Sequence, residues 1–181
     1  MFFLKCTQAA QKRLGLRPEN LVQAQPNPSS LGNFYVHYFA LERRKAVVFM
    51  SEHSLLSFIM LEGRIKLRPE NLGLMLMHGL EQLLRFRGYA AADIDPLLNN
   101  FQTGLFSATK DRSAVANLNT IVGDYLYLIN WYGGLAHCDL TAIIMQVNES
   151  PRTKLDYASP WAVTASRVAL EKSANSSKLQ P

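Results

Sequence analysis

The clearest pattern in the chain lies in residues 34–61, where three apolar runs are separated by short polar breaks. Aromatic and β-branched residues fill positions 34–41, a second apolar run covers 45–50, and a third covers 55–61. Consecutive apolar runs joined by short breaks are typical of an antiparallel meander. The middle run is apolar on both faces, so we expect helices to cover one or both faces of this sheet.

Apolar residues recur at intervals of three and four in longer segments, and this spacing predicts helices. Leucines and methionines form one stripe over residues 72–84, in a helix that begins near Pro69 and ends at Gly88. A second stripe predicts a central helix over residues 114–131, and a third main helix is predicted over residues 135–147.

The helix over residues 72–84 also contains Gly73 and Gly79. Each glycine costs a helix about 1 kcal/mol relative to alanine, so their presence indicates close backbone packing. We interpret the apolar stripe as part of the core. The alternative is that this helix makes the protein a homo-oligomer.

Shorter segments predict two further strands, at 2–6 and 101–108, and two short helices, at 7–13 and 93–99. The chain therefore predicts an α+β fold, with a mainly antiparallel sheet of four or five strands packed against three main helices. With 181 residues it is long enough to bury one sizeable core. We predict a single domain over residues 1–170. A disordered tail is predicted over 171–181, where Ser, Asn, Lys and Gln prevail.

Composition narrows the function classes only slightly. The formal net charge of +5 permits an anionic partner without requiring one. Cys6 and Cys138 have no metal-type spacing and form no disulfide framework. The N-terminus lacks signal-peptide features, and no apolar run is long enough to cross a membrane. We expect a cytoplasmic protein with no metal, no cofactor and no membrane contact.

The segment entering the central helix is the first candidate site. It gathers Thr109, Lys110, Arg112 and Ser113 at the positive end of the helix, where an anion is favoured. The alternative is that Asp111 or Ser113 only caps the helix and Arg112 pairs with a carboxylate. His37 is a weak candidate acid or base, because no partner group is apparent beside it in the sequence.

The second candidate site is the predicted turn between the first two meander strands. Arg43, Arg44 and Lys45 stand there close to aromatic residues, a combination that can bind nucleic acid. The alternative is an ordinary solvated turn above core aromatics. No helix-turn-helix, zinc-finger or RNA-binding motif accompanies these residues.

Several short strings together resemble a small uncharacterised bacterial family, a domain of unknown function sometimes labelled as a plasmid open-reading-frame protein. They are residues 5–8 (Lys-Cys-Thr-Gln), 27–32 (Asn-Pro-Ser-Ser-Leu-Gly), 36–39, 43–49, 109–113 with 118–119, and 148–151. The chain departs from the family pattern in having Phe34 and Tyr35 where a tryptophan is expected before the histidine. The resemblance implies a cytoplasmic α+β domain, and it implies no activity.

These observations favour a non-enzymatic binding or regulatory module, associated with mobile elements, that contacts nucleic acid or a protein partner through a basic surface. The alternative is an enzyme acting on a phosphate-bearing substrate. In that case Lys110 and Arg112 would hold the anion and His37 would act as acid or base.

Overall fold

The computed structural model describes residues 1–63, 66–101 and 103–178, and for residues 174–178 it describes the backbone alone. Across these residues the chain forms five strands and six α-helices. The strands are β1 (Phe2–Cys6), β2 (Phe34–Leu41), β3 (Arg44–Ser51), β4 (Ser57–Leu61) and β5 (Gly104–Ala108). The helices are α1 (Gln8–Leu14), α2 (Pro69–Phe86), α3 (Ala91–Asn99), α4 (Arg112–Trp131), α5 (Leu140–Glu149) and α6 (Pro160–Lys178).

The five strands form one mixed sheet in the order β4-β3-β2-β1-β5. The predicted meander is confirmed, because β2, β3 and β4 pair antiparallel. The prediction of a mainly antiparallel sheet is wrong, because β1 lies between β2 and β5 and runs parallel to both. Parallel neighbours need a crossover between them. Here β1 is joined to β2 by α1 and a long loop, and β5 lies far away in sequence.

Helices cover both faces of the sheet. One face of the meander packs Val36, Val47 and Phe49 against α1, α2, α3 and α6. The opposite face packs Tyr35, Val48 and Met50 against α4 and α5. This arrangement explains why the middle strand is apolar on both faces. The α+β class is confirmed, but the described residues hold six helices where three main ones were predicted.

The α2 helix lies flat against the sheet through its leucine stripe. Its buried residues are Leu72, Leu76, Leu80, Leu83 and Leu84. The residues of this stripe are therefore used in the protein's own core, and the exposed large apolar side chains of the helix are Leu74, at 58%, and Phe86, at 64%. Self-association through residues 72–84 stays a prediction, with this smaller surface to support it.

The chain after residue 131 differs most from the sequence-based expectation. The third predicted helix begins later, at Leu140, because the Asp139 carboxylate caps it by accepting from the amides of Thr141 and Ala142. The predicted tail over 171–181 is helical as far as Lys178, and 179–181 lie outside the described residues. Contacts hold its beginning: the Glu171 carboxylate accepts from the Ser30 amide at 3.1 Å. The division into one domain over 1–170 stays a prediction.

Among the residues described, no helix is both long enough and apolar enough to span a bilayer.

Candidate functional site

A crevice opens where β1 and β5 end side by side. The chain leaves β1 into α1, whose Ala10 and Leu14 pack on one face of the sheet. It leaves β5 into α4, whose Leu118 and Tyr125 pack on the opposite face. When the connections from two adjacent parallel strands diverge in this way, they leave a gap outside the carboxyl ends of the strands. Open sheets of this kind bind their ligands at that position.

Thr109 fixes the far wall of this crevice. Its amide donates to the Cys6 carbonyl at 3.0 Å, and its hydroxyl donates to the Lys5 carbonyl at 2.8 Å. The amide bond extends the β1–β5 pairing by one residue beyond Ala108, and the hydroxyl bond ties the side chain to β1. Thr109 therefore anchors the segment that enters α4, with both of its donors already used.

The first turn of α4 is capped from within. The Asp111 carboxylate accepts from the amide of Ser113 at 2.8 Å and from the amide of Ala114 at 3.2 Å. These amides are the groups that a bound anion would use. The Ser113 hydroxyl lies 3.3 Å from the ammonium of Lys154, which donates to it. An anion in the crevice would therefore depend on side chains rather than on the free amides of the helix.

Lys110 and Arg112 are the cations placed to do this. Both are exposed, and both line the crevice together with Thr109 and Asp111. Within the described part of the chain, neither one makes a hydrogen bond or an ion pair. Their charges are therefore available to a ligand.

His37 stands on the β2 side of the same crevice. It lies opposite Val48 in the sheet, and therefore on the face covered by α4. Its Nδ1 is 3.0 Å from the hydroxyl of Thr7, the residue that also caps α1. Burial lowers the pKa of His37, which makes the imidazole neutral at neutral pH. The Thr7 hydroxyl thus serves both as the cap of α1 and as the contact that holds the histidine.

The crevice has two adjoining parts that share Thr109, Lys110 and Asp111. The smaller part, about 390 Å³, is walled by Thr7, His37 and Arg112. The larger part, about 520 Å³, is lined by Lys5, Tyr35, Ser107 and residues 21–24. Each part is large enough for a small ligand.

Lys5 differs from the two free cations because it is already paired. Its ammonium forms a salt bridge with Glu52 and lies 5.3 Å from the centre of the Tyr35 ring. Burial acts to raise the pKa of Glu52, but the bonds from Lys5 and Asn33 outweigh it and the pKa is lowered. This ionised pair stiffens the wall of the larger part and adds no free charge.

Cys6, Asp124 and Ser107 are not placed to act as catalytic partners of His37. Cys6 packs in the core on the opposite face, and burial raises the pKa of its thiol to about 12, so it is not a ready nucleophile. Asp124 is bound to Arg152 at 2.5 Å. Ser107 lines the larger part of the crevice, whereas His37 lines the smaller part. The crevice thus holds a histidine and two cations without an assembled catalytic triad.

The three basic residues of the hairpin lie elsewhere. β1 ends level with Val36, whereas β2 continues to Leu41 before the turn. At about 3.3 Å per residue, Leu41 is roughly 13 Å beyond His37. Arg43, Arg44 and Lys45 are exposed there, and the Arg44 guanidinium donates to the Glu62 carbonyl at 3.2 Å. The structure therefore brings His37, Lys110 and Arg112 together and keeps the hairpin cations apart from them.

The described residues contain no group of three or more His, Cys, Asp or Glu side chains arranged to hold a metal ion.

The fold and the crevice define an α+β domain with a ligand-sized cleft at the carboxyl ends of its parallel strands. The family model described as a domain of unknown function (DUF6933) matches residues 3–163, and the chain belongs to this family. The sequence resemblance to an uncharacterised domain family is thereby confirmed. No curated protein matches the chain.

Proposed function

We propose that the protein is a binding module that takes a small phosphate-bearing ligand in the crevice between β1 and β5. The observation that carries this proposal is the placement of Lys110 and Arg112, two cations without partners, beside the half-buried His37. The ammonium and the guanidinium would donate to phosphate oxygens, and the neutral imidazole would form the side wall.

The expected strength follows from the type of bond. A hydrogen bond to a charged group contributes about 1.5–3 kcal/mol, and 1.4 kcal/mol corresponds to a tenfold change in affinity. Because both cations are exposed, we take the lower end of that range. Removing either one should weaken binding of the anion about tenfold.

The test is a titration by calorimetry with inorganic phosphate, a nucleoside monophosphate and a sugar phosphate. Lys110→Ala and Arg112→Ala should each weaken binding, while Lys12→Ala is the matched control because it removes an exposed cation outside the crevice. If none of these compounds binds, or if Lys12→Ala weakens binding as much as Arg112→Ala does, the crevice is not the site.

The enzyme alternative is favoured by one specific contact. The Thr7 hydroxyl holds the His37 ring beside the free cations, as a general acid or base must be held. If a phosphate compound that binds is also turned over, the rate should fall when His37 is replaced by Gln, while the affinity changes little. Turnover that is unchanged in this variant would remove His37 from any reaction.

The wider setting also belongs to this proposal. The family resemblance favours a cytoplasmic protein from bacteria, carried on plasmids or other mobile elements. A basic surface that contacts nucleic acid or a protein partner fits the same setting.

A further inference from the structure

A group of aromatic side chains at the end of α4 has no evident role in the core. Tyr127, Trp131 and Tyr132 are exposed by 63%, 71% and 49%. We call these three residues the α4 aromatic patch. The inward stripe of α4 is already complete without them, because Leu118, Tyr125 and Ile129 fill the core. Exposed aromatic groups of this kind mark binding surfaces more often than chance.

The rings of the patch are arranged as a platform. Tyr127 and Trp131 stack on each other, with ring centres 6.2 Å apart and planes inclined by 26°. The Tyr132 hydroxyl donates to the Gln146 side chain on α5 at 3.4 Å. Two of the three rings are thus mutually supported while most of their surface faces water.

The basic hairpin meets the loop that follows this end of α4. The Glu42 carboxylate accepts from the Leu135 amide at 2.7 Å, which joins the β2–β3 turn to the loop that follows α4. Gly134, with φ +91°, permits the approach, since a β-carbon there would stand 2.7 Å from the same carboxylate oxygen. Arg43 is next to Glu42 in the turn, and Trp131 precedes Gly134 by three residues.

The pairing of β2 with β3 shows on which face of the sheet each hairpin cation lies. Arg44 pairs with Leu41, which is buried on the face covered by α4 and α5. Lys45 pairs with Ala40 and leaves the sheet on the opposite face. The Arg44 guanidinium already donates to the Glu62 carbonyl at 3.2 Å, whereas Arg43 makes no hydrogen bond or ion pair within the described part of the chain. Arg43 is therefore the hairpin arginine that is open to a ligand, and the carboxylate of the adjoining Glu42 is engaged by a backbone amide.

We propose that the α4 aromatic patch, together with Arg43 of the neighbouring turn, binds single-stranded nucleic acid. Bases stack on the Tyr127–Trp131 platform, and Arg43 binds a flanking phosphate. Charge decides between this occupant and a protein partner, because the turn offers an unpaired arginine and the whole chain carries a formal net charge of +5. Flat exposed rings accept any base, so little sequence preference is expected.

This proposal is independent of the ligand in the crevice. The crevice lies at the start of α4, and the patch lies at its end, where Tyr127 follows Arg112 by 15 residues. Loss of one activity leaves the other intact, and the failure of either proposal can therefore be recognised separately.

Tryptophan fluorescence offers a direct test. The chain contains two tryptophans, and Trp161 is buried at 2% exposure while Trp131 is exposed. Stacking of a base on Trp131 should quench its emission when oligo(dT) or oligo(U) is added at low salt. Binding should weaken as salt rises, with a log–log slope of about −0.7 for one phosphate contact.

The variants separate stacking from charge. Trp131→Ala and Tyr127→Ala should each weaken binding about tenfold by fluorescence anisotropy of a labelled oligonucleotide. Arg43→Ala should make the salt slope shallower by about 0.7. Phe86→Ala is the matched control, because Phe86 is 64% exposed but belongs to α2 on the opposite face. All four changes are at the surface, and circular dichroism checks that each variant is folded.

Four results would overturn the proposal: no binding at low salt, equal binding of a duplex, equal binding of polyglutamate, or tight binding that survives Trp131→Ala and Tyr127→Ala. Equal binding of polyglutamate would mean that the surface responds to charge alone. Loss of binding on Lys110→Ala, with Trp131→Ala unaffected, would move the nucleic acid to the crevice.

Discussion

Replacing Gly79 by alanine tests how closely α2 packs on the sheet. A β-carbon at Gly79 would lie 2.2 Å from Cε2 of Phe58 on β4, a separation that real atoms do not tolerate. Phe58 cannot easily move, because it is 3% exposed and stacks on Phe49 with ring centres 5.2 Å apart. We therefore expect Gly79→Ala to destabilise the protein although alanine is the better helix former.

The size of the effect is the difference of two terms. Alanine gains about 1 kcal/mol of helix propensity over glycine. Overpacking a closed core costs about 1–3 kcal/mol, and a contact this short belongs at the upper end. The net loss in the free energy of unfolding should be about 2 kcal/mol, measured from the midpoint of a urea titration at constant m-value.

Gly123 provides a matched control within the same molecule. It lies inside α4, and a β-carbon there would meet nothing within 4 Å. Gly123→Ala should therefore stabilise the protein by up to about 1 kcal/mol. Adding Phe58→Leu to Gly79→Ala should recover part of the lost stability. If Gly79→Ala stabilises as much as Gly123→Ala does, the close approach of α2 and β4 is wrong.

Two further predictions concern the crevice. Asp111→Asn should keep the α4 cap, since asparagine caps as well as aspartate, so the free energy of unfolding should be nearly unchanged. The same change removes a negative charge from the wall of the crevice, so phosphate affinity should rise. Unchanged or weaker phosphate binding in calorimetry would contradict this. Burial holds the pKa of His37 below its usual value of 6.5, so the unfolded state binds the proton more readily than the folded state does. The free energy of unfolding should therefore fall as the pH drops below about 6.5 toward the lower pKa of the folded state. Urea titrations from pH 7.5 to 5 should show a flatter pH dependence in His37→Gln, and an equal slope in both proteins would refute this.

The sequence predicts the meander well because its pairing is local. The runs that became β2, β3 and β4 follow each other directly, so strand order and direction follow from short connections. β1 and β5 were both recognised as apolar segments. Their parallel pairing joins Phe2 with Gly104, about a hundred positions later, and no short-range pattern carries that information.

The site was predictable in its residues but not in its arrangement. Lys110 and Arg112 were visible as cations before a helix, and His37 as a histidine in a strand. Their meeting depends on the placement of β1 between β2 and β5, which the sequence does not reveal. Asp111 was expected as one possible cap. Because its carboxylate occupies the amides of the first turn, an anion in the crevice would be bound by side chains and not by the backbone.

The aromatic patch was missed for a different reason. Tyr127 and Trp131 lie on the side of α4 away from its inward stripe, and a single aromatic on a helix surface is ordinary. The signal is the recurrence of aromatics four residues apart with a further tyrosine next to the second. It becomes informative only when the fold joins the turn that holds Arg43 to the loop after the helix.

The length of α4 makes the two proposed sites electrostatically independent. Tyr127, the first residue of the patch, follows Arg112 by 15 residues, which places it about 22 Å along the helix from the crevice. The screening length is about 10 Å at 0.1 M salt, so the charges of Lys110 and Arg112 are almost fully screened at the patch. Charge reversal at Lys110 should therefore leave oligonucleotide binding unchanged at 0.1 M salt. A loss of affinity under these conditions would place the nucleic acid across both ends of the helix, because only direct contact reaches that far.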